Sequence, residues 1–306
     1  MASALFAGLC TFDLIQRVSR IPGANEKVTA LEQAVSAGGP AANASVAFAF
    51  LGGRATLVTG IGSHPLAQGM RADLEAAAVS VVDAAGKDED PPAVSSIVVT
   101  AGSGDRRVVS LNAAGRTLAP PPELDALAGQ AGAVLIDGHH PRLAMAAARA
   151  ARRRGRLCVL DGGSWKANTA DLLPYVDIAV CSADFRPPGV TGVAEVLDYL
   201  LGQGVAWAAV TDGANPVTWA GGAWTSGDAR SEVPAEVPVP KTDVADTLGA
   251  GDIFHGALIH GLAGAEALGK DSFRSALEFA ASVAAHSCRT FGTRAWMKSW
   301  ATREPA

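Results

Sequence analysis

From about residue 130 onward the chain alternates between two hydrophobic patterns. Short apolar runs at Ala133–Ile136, Leu157–Leu160, Ile178–Cys181 and Ala206–Val210 have the length and character of buried strands. The gaps between them read as helices, among them Arg142–Arg153 and Ala194–Leu201. Strands that alternate with helices form βαβ units. The expected fold is therefore α/β, with a doubly wound, mostly parallel sheet covered on both faces. Polar residues follow these strands: Asp137, Asp161, Ser182 with Asp184, and Thr211-Asp212-Gly213. They gather at the carboxyl ends of parallel strands, where open α/β sheets bind ligands.

Two segments break that rhythm. Residues of about 12–36 and 93–111 read as extended β pieces with no helix between them. Val94–Val99 and Arg107-Val108-Val109 flank the turn Gly102-Ser103-Gly104, and Asp88-Glu89-Asp90-Pro91-Pro92 leads in as a linker. Together these pieces predict a small sheet projecting from the main body, placed to close over a ligand or to pair with a second copy's flap.

The 306 residues are enough for one large α/β domain, here taken as 1–306 with the flap as its appendage. A net charge of −5 gives no global positive field for nucleic acid. The basic cluster Arg149, Arg152, Arg153, Arg154 and Arg156 surrounds Gly155 and reads as a helix's last turn with its glycine stop. Cys10, Cys158, Cys181 and Cys288 are widely spaced, which suggests reduced thiols rather than a zinc or disulfide framework. The N-terminus lacks the basic flank of a signal peptide, and no apolar run reaches the ~18 residues of a membrane helix. A soluble, cytoplasmic protein without membrane or nucleic-acid partners is expected.

The most informative stretch is Asp246-Thr247-Leu248-Gly249-Ala250-Gly251-Asp252, which runs into the helical spacing of Phe254, Ala257, Leu258, Gly261 and Leu262. A Gly-Ala-Gly start leaves the first helical N–H groups unshielded, so an anion can approach them closely. Donors fixed in this way suit a transferring phosphoryl group, whose charge is spread over its oxygens. Asp252, in the first turn, can take a proton from an attacking hydroxyl. Its plainer role would be to cap the helix and complement its dipole. Lys166, beyond Asp161, is a candidate for neutralising nucleotide phosphate, against a plain surface role.

This run resembles the C-terminal signature of the ribokinase-like (PfkB) carbohydrate kinases. Gly38-Gly39-Pro40-Ala41-Ala42-Asn43-Ala44-Ser45 with Leu51-Gly52-Gly53 resembles their N-terminal signature. The resemblance spans essentially the whole chain, and the two-part flap is similar to the family's lid. It implies an ATP- and Mg²⁺-dependent kinase acting on a small sugar-like molecule. A homodimer through the lid is expected because exposed strand edges tend to be covered. By the same resemblance Asp252 is the base, and Gly249, Ala250 and Gly251 form the anion hole. Asp246 lies where a monovalent cation such as K⁺ is held. Asp13, Gly39 and Asn43 line the substrate, although Asn43 also reads as an N-cap for a helix over Ala44–Leu51.

On the nucleotide side, Ser182-Ala183-Asp184-Phe185 stands where many members carry Asn-x-x-Glu, so Asp184 is the magnesium candidate. Thr211 and Gly213 match the start of the nucleotide loop, with Pro216 in place of its last glycine, and Cys288 matches the adenine side. The second half is most similar to ketohexokinases and sulfofructose kinases. Lys27 and His139 therefore become substrate candidates, with His140 and Arg116 nearby, against a solvated loop for the two histidines. Three other readings are open to the sequence: a nucleoside kinase on the same fold, a non-catalytic sugar sensor, and an NAD(P)-dependent oxidoreductase using Gly60-Ile61-Gly62. In the last, Pro65 occupies the third glycine position of the dinucleotide fingerprint.

Overall fold

The structure, a computed structural model, describes residues 1–221, 234–263 and 267–302. The first half contains β1 (Ser3–Ala7), β2 (Thr11–Val18), β3 (Glu32–Gly38), α1 (Pro40–Phe50), β4 (Arg54–Thr59), α2 (Pro65–Ala76) and β5 (Val79–Asp83). Next come β6 (Val94–Thr100), β7 (Arg106–Ser110), α3 (Leu124–Gln130), β8 (Ala133–Ile136), α4 (Pro141–Arg153) and β9 (Leu157–Gly162). The remainder is α5 (Thr169–Leu172), β10 (Ile178–Ser182), α6 (Val193–Gly202), β11 (Trp207–Asp212), β12 (Asn215–Gly221) and β13 (Ala235–Val237). The last helices are α7 (Ala250–Leu262), α8 (Lys270–Ser287) and α9 (Trp296–Ala301).

The larger sheet has nine strands in the order β13-β12-β11-β10-β9-β8-β1-β4-β5. Its pairings are parallel from β5 through β11 and antiparallel at β11–β12 and β12–β13. Successive strand residues point to opposite faces, and here they enter separate cores. Ala4 and Phe6 pack with Phe48 of α1, Leu258 of α7 and Leu277 of α8. Leu5 and Ala7 pack with Leu124 of α3, Leu143 of α4 and Leu200 of α6. The sheet is doubly wound, as the alternating pattern predicts. Strand order reverses beside β1, which lies between β8 and β4. The carboxyl ends of these strands border the crevice where such sheets bind ligands.

The irregular segments form a four-stranded sheet, β3-β2-β6-β7, with β2–β6 parallel and the other pairs antiparallel. Its register sorts residues by face. Ser36, Asp13, Ser95 and Ser110 form one row across the strands, and Val35, Leu14, Ser96 and Val109 form a row of the opposite phase. Ile15, Ile97 and Val99 are buried with Leu248 and Phe291 packed against them, so this sheet rests on the turn that precedes α7.

The basic cluster ends α4, as expected. Gly155 has φ +61°, Arg153 and Arg154 both hold Asp125, and Arg156 bonds the Gly129 carbonyl. The capping reading of Asn43 is corrected, because α1 begins earlier, at Pro40. Proline needs no N–H partner at a first helical position, and its ring presets φ. Gly39, at φ +90°, makes the turn into it. Asn43 is therefore inside the helix, with its side chain available for other work.

Candidate active site

Helix α7 starts from Gly249, whose φ of +71° lies in the left-handed region that favours glycine. A Cβ there would come within 3.0 Å of Thr293 Cγ2, whereas one on Gly251 would meet nothing within 4 Å. The space before the helix tip is thus open. Ile253 N–H makes the first full helical bond, to Gly249 O at 2.8 Å, while Ala250 N–H reaches Thr247 O at 3.3 Å. The Gly251 and Asp252 amides have no protein acceptor among the described residues. Behind them Asp246 is buried and fixes the turn, its carboxylate accepting from Leu248 N and Gly292 N, each at 2.9 Å.

Asp252 is half-buried in the first turn of α7. Its Oδ2 accepts a hydrogen bond from Asn43 Nδ2 at 2.8 Å. The amide can present only that face, because Asn43 Oδ1 accepts from Arg294 at 3.0 Å. Arg294 also donates to Asp73 at 3.0 Å and to the Ala37 carbonyl at 2.6 Å. Arg294 and Asp73 were not anticipated from sequence; no local pattern joins positions so far apart. Burial and the Asp161 carboxylate push the Asp252 carboxyl up to about 7, against the Asn43 bond and the His255 ring. Such a carboxyl exchanges its proton near neutrality, as a general base requires.

Asp13 belongs to the polar row of the small sheet and is buried. Thr11 Oγ1 donates to it at 2.5 Å. Burial raises its carboxyl, opposed by the Thr11 and Ser95 hydroxyls and by the Arg294 charge. Gly38 is required beside it, since a Cβ there would overlap the carboxylate at 1.8 Å. Ser36, Ser95 and Ser110, also missed in the sequence, share its row; their signal is the two-residue period, readable only once the pairing is known.

At the end of β8, Asp137 is buried and accepts from Leu9 N at 2.7 Å, His139 N at 2.9 Å and Ala41 N at 3.3 Å. It ties together the ends of β1 and β8 and the start of α1. Desolvation lowers the proton affinity of both His139 and His140, with Asp137 opposing in each case. His140 Nδ1 is buried without a partner. Lys166 is half-buried and packs near Gly138; its Nζ donates to the Ser164 carbonyl at 3.4 Å, and its charge is felt by His139 and Asp161.

Ser182 and Thr211 are register partners at the ends of β10 and β11. Asp184 is exposed just after β10, its amide bonded to Ser182 Oγ. Gly213 forms the β11–β12 turn at φ +56°. The Cys288 carbonyl accepts from Ala245 N at 2.8 Å, anchoring the segment that leads to α7, and burial raises its thiol. Lys27 is exposed on the β2–β3 loop, where the ion pair belongs to Arg20 and Glu26. Arg106 of β7, unanticipated, bonds Thr247 Oγ1 at 2.5 Å and helps line a cleft of about 520 Å³ with Thr100, Asp105 and Arg107. The Gly60-Ile61-Gly62 turn is occupied internally, because Asp83 accepts from the Ile61 and Gly62 amides, each at 2.9 Å.

Comparison with known proteins fits this arrangement. Residues 1–300 match the pfkB family carbohydrate kinases. A ribokinase candidate from Agrobacterium tumefaciens superposes with a TM-score of 0.80 at 26% identity, covering 99% of each chain. Ribokinase from Giardia lamblia gives 0.81 at 18% identity, covering 97% of this chain and 96% of that one. Adenosine kinase from Sinorhizobium meliloti gives 0.75 at 20%, covering 98% of each.

Proposed function

Since the chain belongs to the pfkB family of carbohydrate kinases and is an ATP-dependent carbohydrate kinase, we propose that it phosphorylates a hydroxyl of a small sugar or sugar derivative, with Asp252 as general base. One observation carries the assignment: amides without a protein acceptor at the tip of α7 stand in the same turn as a carboxylate held near neutrality. Such a tip suits an anion by its donors and by its dipole.

In this reading the turn Gly249-Ala250-Gly251 forms the anion hole, and the Gly251 and Asp252 amides are its acceptor-free donors among the described residues. Asp13 and Asn43 grip the acceptor's hydroxyls, and Gly39 keeps the backbone close to it. His139 and Lys27 face the acceptor's far end. ATP, when bound, supplies the terminal phosphoryl group, and Ser182, Thr211, Gly213, Lys166 and Cys288 are assigned to holding it. Asp184 faces the accompanying magnesium, an ion that nucleotide phosphates hold with few protein ligands. Asp246 would hold K⁺ through its carboxylate. The acceptor's proton passes to Asp252 while Asn43, fixed by Arg294, keeps the carboxylate in line.

The small sheet acts as a lid over this centre. Its polar row faces the acceptor, and closure excludes water that would otherwise compete as acceptor. The exposed valines of the opposite row are the proposed dimer surface, because exposed sheet surfaces and edges tend to be covered.

ADP release measured with MgATP over ketoses, sulfonated ketoses, aldoses, sugar acids and nucleosides tests the proposal. ADP formed one-for-one with a phosphorylated sugar is the expected result. Turnover confined to nucleosides would replace the acceptor class, and sugar binding without turnover would replace the activity.

A further inference from the structure

Beneath the helix tip lies a buried polar pair that the proposed chemistry does not use. His255 follows Asp252 by three residues on α7, so the two side chains are neighbours on that helix. The His255 side chain is 6% exposed and that of Asp161, at the end of β9, is 8% exposed. His255 Nδ1 lies 2.7 Å from the Gly251 carbonyl, and Nε2 lies 3.1 Å from the Val180 carbonyl. Carbonyl oxygens only accept, so satisfying both contacts requires a proton on each ring nitrogen. The ring is then a buried cation, which is tolerated only beside a compensating charge. Asp161 supplies it: its Oδ2 is 3.5 Å from Nδ1, within ion-pair range, and is buried without a hydrogen-bond partner. Val180 and Asp161 are register partners on β10 and β9, so the sheet itself sets this geometry.

We propose that Asp161 and His255 are positioning residues that hold the Gly251 peptide of the anion turn, and with it the amides of the helix tip, from below. The inference rests on Asp252 being the base. The charged groups facing Asp252 are Asp161 from β9, Asp13 from β2 and His255 on its own helix, with the neutral Asn43 amide from α1. Asp161 in turn faces His255, Asp137 of β8, Lys166 and His139. Asp161 raises the proton affinity of Asp252 and His255 lowers it.

The test is kcat and the KM for sugar, with MgATP and the sugar that the substrate panel identifies, for wild type, D161N, H255Q, D161N/H255Q and D252N. D161N and H255Q are each expected to lower kcat ~10-fold or more with the sugar KM little changed, because the anion turn serves the transferring phosphoryl group. The double variant should lose no more than the worse single variant, since the pair acts as a unit. An unchanged kcat, or a loss carried by the sugar KM alone, with D252N inactive, overturns the positioning role alone, whereas an active D252N overturns the base assignment itself. Histidine ring ¹⁵N NMR on the full chain decides the matter if a variant does not fold. A His255 ring protonated on both nitrogens at pH 7.5 is expected, and a singly protonated ring contradicts the proposal.

Discussion

Burial and the Asp161 charge hold the Asp252 carboxyl at about 7, against an ordinary value of 3.8. Between these values the folded protein keeps a proton that the unfolded chain has already released. Stability therefore falls as pH rises through that window and stays reduced above it. D252N, which can still accept the Asn43 hydrogen bond, should melt at a higher temperature than wild type at pH 8. The gain should narrow at pH 5; an equal gain at both pH values, or none, contradicts the linkage. Asp252 and its glycines were legible in the sequence because the donors and the acid are contiguous there. Arg294 was not: it reaches Asn43 across 251 positions, and only folding brings the two together.

At the scale of elements, Gly39 shows how backbone conformation delivers a side chain. Its φ of +90° and ψ of 152° belong to a region nearly reserved for glycine. A Cβ would also stand 2.6 Å from the Leu9 carbonyl. Gly39→Ala should cost ~2–3 kcal/mol in denaturant unfolding, the strain of that region and more. A change within ~0.5 kcal/mol, the usual range of a neutral surface substitution, would contradict this. The strands and helices from β8 to β11 were legible because apolar runs of strand length alternate with helical segments. The start of α1 was misread because asparagine is a frequent cap and the role of Pro40 depends on the conformation of Gly39.

At the scale of the molecule, sequence identified the lid's strands but not their register, which depends on pairing between segments far apart in the chain. That register puts Val35 and Val109 on one exposed face, at 50% and 76% exposure. Sedimentation should show a dimer that Val109→Glu converts to monomer; a monomeric wild type contradicts lid pairing. The proposed phosphoryl transfer depends on the carboxylate at the tip of α7. Its most direct test is the turnover of D252N with MgATP and an accepted sugar, with folding checked by circular dichroism. The expected result is a folded protein slower by ~10²- to 10⁴-fold, the usual contribution of a general base. Turnover equal to wild type would contradict it.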